Sequence, residues 1–512
     1  PVLLFPSDQF ATRVPDPVLQ QLEDPTSLDV SVNDAFRPVS RFFDRINRPE
    51  QLIPSLLNAM RVLTDPAETG AVTVAMPQDV QAEVFDWPVE FFRKRVWHVR
   101  RPVPEPAALE RAVALIKAAK RPLIIAGGGT IYAGASEELR ALATATGIPV
   151  GDTQAGKGAI NFDHPSAVGG VGSTGCDSGN HIADKADLII GVGTRYSDFT
   201  TASKTQFKNP DVKFVNINVT PFDAAKESAE MVVADAREAL TALTEALADY
   251  HVDQAYSDEI TVEKEAWLKA TERCYHLDHG PLPAQTEVFG ALNELMGEED
   301  VVINAAGSMP GDLQALWQAR SPLQYHVEYA FSCMGYEVPA AMGVKLARPK
   351  AEVVSIVGDG TYQMLPMELA TVVQENIKVI YVLLQNYGFC SIGALSESRG
   401  SQRFGTKYRQ RGEGSHLADE QVIDGVDIAV NARSWGLDVL EVHTIEEFKE
   451  AYRKAEASDR PTMIHIETDL YGPNPPGSSW WDVPVSGVSA LESTQRAYED
   501  YQRDRKPQRH YL

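Results

Sequence analysis

Apolar residues along this chain gather in short, nearly unbroken runs, and the stretches between them carry apolar positions at helical spacing. Runs at 122–126, 187–192 and 212–217, and again at 301–304, 352–357, 378–384, 437–442 and 462–468, are rich in Val, Ile and Leu. Runs of that length without alternation predict parallel strands buried on both faces. Nearer the start, Leu52, Leu56, Met60 and Leu63 recur as on one face of a helix, and "AVTVAMP" alternates Val72, Val74 and Met76 as a half-buried strand would. The pattern predicts an α/β protein of three consecutive open, mostly parallel sheets, the first incomplete. The Pro-rich "RRPVPEPAA" reads as a linker, residues 251–280 as a polar connector, and 471–512 as a tail without the strand rhythm. The expected units are therefore 1–98, 105–250, 251–280, 281–470 and 471–512.

Composition narrows the functions open to such a chain. A length of 512 residues suggests about three domains, and 44 % hydrophobic with 23 % charged residues suits sizeable cores. A net charge of −24 repels phosphate backbones and anionic lipid heads, which excludes nucleic acid and membrane surfaces as natural partners and favours small molecules. Cys176, Cys274, Cys333 and Cys390 form no CxxC pair, which argues against a disulfide framework or zinc site and fits a reducing cytoplasm. No stretch approaches the ~20 apolar residues of a membrane span, and no signal segment is visible. The opening "PVLLFP" has no initiator Met and begins on a strand-like run, so the expectation is that a longer protein continues upstream.

The stretch "EVVSIVGDGTYQMLPMELATVVQENIKVIYVLLQNYGF" at 352–389 holds the densest chemistry. With a strand at 352–357, a returning helix at 362–375 and a strand at 378–384, the helix runs ~20 Å back and the second strand ~23 Å forward. Asp359 and Asn386 then emerge side by side at the carboxyl edge of an open sheet, where ligands of such folds bind. A carboxylate, an amide oxygen and a nearby backbone carbonyl make an oxygen-only set suited to Mg²⁺, with places left for phosphate oxygens and water. Gly358 and Gly360 lack side chains, so a diphosphate can approach the main chain, and the start of the following helix offers amide donors. Taken singly, GDG is a tight turn and Asn386 a strand terminator. Their spacing makes the pair a magnesium diphosphate anchor.

"GDGTYQM" followed by "LLQNYGF" resembles the signature of thiamine-diphosphate enzymes, and "CMGYEVPAAMGVKLA" is similar to the segment before it in the acetohydroxyacid synthase-like branch. "RPLIIAGGG", "GIPVGDTQAGKGAINFDHP" and "ADLIIGVGTR" look like that branch's middle domain. The resemblance implies a pyrimidine-binding domain (its C-terminal part at 1–98), a central domain and a diphosphate-binding domain. It also implies thiamine diphosphate and Mg²⁺ as cofactors and a homodimer or homotetramer. By resemblance, Asp359, Asn386 and the Gly388 carbonyl hold Mg²⁺. Gly307, Ser308, Met309, Gly335, Gly358, Gly360, Thr361 and Phe389 line the cofactor, and Met334 is the apolar wedge that bends it.

Four further segments, "NDAFRPVSRFFDRINRPEQL", "VLTDPAETGAVTVAMPQDVQAEVFDWPVEFF", "GTRYSDFTT" and the tail from "SSWWDVPV" to "QRHYL", depart from the synthases. They resemble the branch that hydrolyses a C–C bond of a cyclic polyhydroxylated 1,2-dione in myo-inositol catabolism. The glutamate with which the family activates its cofactor lies upstream of the segment matched by "PVLLFPSD". Glu23, Glu50, Glu68, Glu83 and Glu90 do not match its motif, so the resemblance implies a chain that lacks this acid and is inactive by itself. A synthase or decarboxylase acting on 2-oxo acids, and a non-catalytic scaffold subunit, stay open as alternatives. Gly127, Gly128 and Gly129, and "GVGTR" at 191–195, read as strand-to-helix turns. His276, His279 and His326 receive no catalytic role. Trp480 and Trp481 are either a lid over the site or the means of docking the tail onto its own domain.

Overall fold

The computed structural model describes residues 2–13, 16, 19, 23–403, 405–409 and 426–509. These fall into two compact units, 1–102 and 103–512. In the first, β4 (Ala71–Pro77) is flanked in parallel by β1 (Val2–Leu4), β2 (Ser7–Asp8) and β3 (Phe42–Arg45). The alternation read into "AVTVAMP" is corrected here. Thr73 and Ala75 are as buried as Val72 and Val74, so both faces of β4 are covered. Thr73 meets its polar need through a 2.9 Å hydroxyl contact with Ser40. The helix Leu52–Leu63 forms as expected, but its deepest line is Ser55, Ala59 and Val62. The expected Leu56 and Met60 are only half-buried on its flanks.

The second unit holds two six-stranded parallel sheets. The central sheet has the order β10-β9-β8-β5-β6-β7. Its strands are β5 (Pro122–Ala126), β6 (Val150–Asp152), β7 (Ala167–Gly170), β8 (Leu188–Val192), β9 (Lys213–Asn218) and β10 (Glu230–Val233). The C-terminal sheet has the order β12-β11-β13-β14-β16-β15. It is built from β11 (Val301–Asn304), β12 (Tyr325–Val327), β13 (Val353–Gly358), β14 (Ile380–Gln385), β15 (Asp438–Val442) and β16 (Thr462–Glu467). Strand β14 is fully buried and lies between β13 and β16, as its unbroken apolar run requires. The glycine turn at Gly127–Gly129 packs backbone to backbone on Gly193, where a Cβ at Gly127 would fall 2.3 Å from the Gly193 oxygen. That is a structural role, as expected.

The connector acquires a definite form, and the return helix departs from expectation. The polar connector is in fact a long helix, Gln254–Tyr275, which buries Tyr256, Ile260, Lys264, Trp267, Thr271 and Tyr275. It ties the two sheets together: Tyr256 donates to the Pro122 carbonyl of β5, while Trp267 Nε1 and the Tyr275 hydroxyl donate to the carbonyls of Ala315 and Leu316. The single return helix expected at 362–375 is two pieces, Asp359–Met364 and Glu368–Gln374. Between them lies Pro366, which has no N–H to continue the ladder. The chain still returns, and Gly358 pairs with Leu384 across adjacent parallel strands.

Candidate functional site

The ends of β11, β13 and β14 converge at the carboxyl edge of the C-terminal sheet, and the sequence-predicted residues sit there. Asp359 follows β13 directly and is 1 % exposed. Its Oδ1 accepts the Gly360 N–H at 2.8 Å and its Oδ2 the Gly388 N–H at 3.2 Å, so the carboxylate closes the gap between the two strand ends. Asn386 follows β14, and its Oδ1 is buried with no hydrogen-bond partner among the described residues. Tyr387, held at φ 58, turns the chain so that Gly388 N–H reaches Asp359, a backbone conformation that costs roughly 1–3 kcal/mol in a non-glycine residue. The Tyr387 hydroxyl donates to Glu467 at 2.6 Å, which anchors that turn to the end of β16.

Burial pushes the Asp359 carboxyl up to about 6, against the lowering effect of the backbone N–H groups of Gly360, Tyr387, Asn386 and Gly388. This carboxylate forms no ion pair among the described residues, and the buried Asn386 amide oxygen has no donor there. A hard divalent ion meets both needs. Among the described residues no three His, Cys, Asp or Glu side chains converge as a metal cage. An ion here would therefore take its other positions from a backbone carbonyl, water and ligand oxygens, as Mg²⁺ does on phosphates.

The turn after β11 supplies the second wall. Gly307 has φ 89, and the space where its Cβ would stand is open. Ser308 donates to Gln285 Oε1 at 3.2 Å, and Met309 is buried, its Cε 3.5 Å from where a Cβ of Gly358 would lie. Thr361 is buried in the first turn after Asp359. Gly360 lies under Phe389, 2.8 Å from a would-be Cβ, and Gly388 has room for none because the Thr406 carbonyl would lie 2.2 Å away. The open face at Gly307 and the amide groups at these turns leave room for a diphosphate, whereas the bareness of Gly360 and Gly388 is taken up by Phe389 and the Thr406 carbonyl and not by ligand space as the sequence suggested for Gly360.

Met334, half-buried, occupies a turn between Ser332 at φ 52 and Gly335 at φ 91. Sequence reasoning missed what holds that turn. Glu337, fully buried, accepts the Gly335 N–H at 3.1 Å through Oε2 and also the Ala306 N–H, while its Oε1 has no partner. One carboxyl thus ties the turn carrying Met334 to the turn carrying Gly307. Burial pushes it up to about 7. The only signal in the sequence was an acid in an otherwise apolar "CMGYEVPAAMG".

The histidines have ordinary partners: His276 meets Glu294, His279 meets Asp469, and His326 meets the Tyr336 hydroxyl. The tryptophan pair docks the tail on the central sheet's loops as well as on the domain that carries it, where Arg399 donates to the Trp481 carbonyl at 3.2 Å. Trp481 Nε1 donates to Asp198 at 3.1 Å and its ring lies 5.0 Å from that of Phe199, while Ser173 donates to the Trp480 carbonyl.

Comparison with known proteins agrees with this geometry. The family model for the thiamine pyrophosphate enzyme central domain matches residues 109–243, and that for the C-terminal TPP binding domain matches residues 305–466. A protein of Bacillus cereus named 3D-(3,5/4)-trihydroxycyclohexane-1,2-dione hydrolase is 46 % identical over 98 % of this chain and 81 % of its own length. Proteins of Bacillus anthracis and Bacillus thuringiensis with the same name are 45 % identical over the same shares. By these matches, which together cover more than half of its residues, the chain belongs to the thiamine pyrophosphate enzyme family.

Proposed function

We propose that this protein hydrolyses a ring C–C bond of 3D-(3,5/4)-trihydroxycyclohexane-1,2-dione, using thiamine diphosphate held through Mg²⁺. The observation that carries the cofactor half is the partnerless, buried Asn386 Oδ1 beside the buried Asp359 carboxylate. The identity of 45–46 % to proteins named for that hydrolysis supports the substrate half. When bound, the cofactor supplies a carbon nucleophile and an electron sink for breaking a bond next to a carbonyl.

The chain's own residues do the holding. Asp359, Asn386 and the Gly388 carbonyl ligate the ion, and Gly307, Ser308, Met309, Gly358, Gly360 and Thr361 receive the diphosphate. Met334 and Gly335 would contact the cofactor's rings, and Phe389 packs over Gly360. The balanced reaction adds one water across the bond between the two carbonyl carbons. One carbon leaves as a carboxylate and the other as an aldehyde, which gives 5-deoxy-D-glucuronate.

The same reading places the protein in the cytoplasm and in a homodimer or homotetramer. All four cysteines are free thiols, as a reducing compartment requires. Among the described residues no helix is long and apolar enough to cross a membrane. Phe331, Leu346, Met364 and Met367 expose large apolar surfaces on the segments around the site, which a second copy would cover.

Incubation with Mg²⁺, thiamine diphosphate and either the cyclic dione or pyruvate tests the proposal. For the protein together with whatever sequence precedes Pro1, the expected result is 5-deoxy-D-glucuronate from the dione and no carbon dioxide from pyruvate, whereas residues 1–512 alone, without the activating glutamate, are expected to turn over neither. Decarboxylation of pyruvate with the dione untouched would overturn it.

A further inference from the structure

We propose that Tyr408 is a further cofactor-site residue, whose phenol O–H donates a hydrogen bond to an oxygen of the bound diphosphate. The inference rests on the cofactor reading above and adds a residue from outside the family signature.

The segment after the helix Cys390–Ser398 comes back across the ligand-bearing turn in two antiparallel rungs. Phe389 N–H donates to the Thr406 carbonyl at 2.7 Å, Tyr408 N–H donates to the Tyr387 carbonyl at 2.9 Å, and Gly388 faces Lys407 between them. These rungs set Tyr408 against the GDG turn, its hydroxyl 3.4 Å from where a Cβ on Gly360 would be. The ring meets Phe389 edge-on, with centroids 6.1 Å apart, so packing alone would be served equally by phenylalanine.

The hydroxyl is what packing does not explain. It is buried and has no hydrogen-bond partner among the described residues, although leaving such a group unsatisfied is costly. A phenol is a donor as well as an acceptor, and the Tyr408 hydroxyl makes no hydrogen bond to the neighbouring Asp359 carboxylate. An acceptor from outside the chain, lying over Gly360, completes the set. A phosphate oxygen is such an acceptor, and a hydrogen bond to a charged oxygen is of the stronger kind.

Tyr408→Phe removes one oxygen and keeps the ring. Binding of thiamine diphosphate and of inorganic pyrophosphate, each at saturating Mg²⁺, is measured by calorimetry on wild type and variant, alongside melting of the ligand-free proteins. The expected result is roughly tenfold to a hundredfold weaker binding of both ligands with an unchanged melting temperature. Equal affinity of wild type and variant for both ligands would overturn the role of Tyr408 alone, since the phenol would then face an ordinary water. A wild type that binds neither ligand would overturn the cofactor reading and this inference with it. A drop in affinity matched by a lower melting temperature would also overturn it, by showing a structural role.

Discussion

Replacing Asp359 with alanine removes magnesium-dependent binding of thiamine diphosphate, with a loss of at least roughly a hundredfold in affinity. The reason lies in how few ligands the chain offers. Asp359 is the one anionic ligand of the proposed set, with Asn386 and the Gly388 carbonyl contributing neutral oxygens. The carboxylate also shapes the site by accepting the Gly360 and Gly388 N–H groups across the gap between β13 and β14. Removing it therefore deletes a charge and releases the turn that carries the other two ligands. Calorimetric titration with and without Mg²⁺ measures both parts. Wild-type affinity in the variant, still dependent on Mg²⁺, would contradict the assignment.

Replacing Glu337 with glutamine makes the ligand-free protein more stable relative to wild type as the pH rises. The Glu337 carboxyl is pushed from 4.5 up to about 7 by burial, and the N–H groups of Gly335 and Ala306 only partly offset this. Its folded-state value lies above its unfolded value, so its favourable contribution is complete below about pH 4.5 and is lost as the pH climbs through 7. At roughly 1.36 kcal/mol per pH unit, the charge costs on the order of 3 kcal/mol by pH 8. Glutamine keeps an oxygen for the Gly335 N–H and places its NH₂ where the partnerless Oε1 stands. Urea unfolding at pH 5 and pH 8 should thus show a stability difference, variant minus wild type, that grows by roughly that amount. A difference that stays constant with pH would show that Glu337 does not carry a buried charge between the two turns.

How much of this was legible in the sequence depends on the kind of signal. Strands β11, β13, β14 and β16 were legible because burial on both faces leaves unbroken apolar runs, and their order placed Asp359 and Asn386 together. The same logic failed on β4, where Thr73 satisfies its hydroxyl internally and mimics an exposed polar position. The helix Gln254–Tyr275 was legible in principle. Its buried Tyr256, Ile260, Lys264, Trp267, Thr271 and Tyr275 follow helical spacing, but two of the six are polar and the remaining faces are charged, so the segment read as a connector. Pro366 carried the signal for the break in the return helix, but the reading of one helix over 362–375 passed over it. Glu337 and Tyr408 had no periodic signal. Each acts through contacts between turns distant in sequence, which only the folded chain brings together.

The central claim is that Asp359 and Asn386 share one divalent ion on a diphosphate. Crystals grown with thiamine diphosphate and Mn²⁺ in place of Mg²⁺ test it through the anomalous scattering of manganese. The account predicts one strong peak between Asp359 and Asn386 Oδ1, at roughly 2.0–2.3 Å from each oxygen. Bound thiamine diphosphate with no peak there, or with manganese held by other side chains, would contradict it.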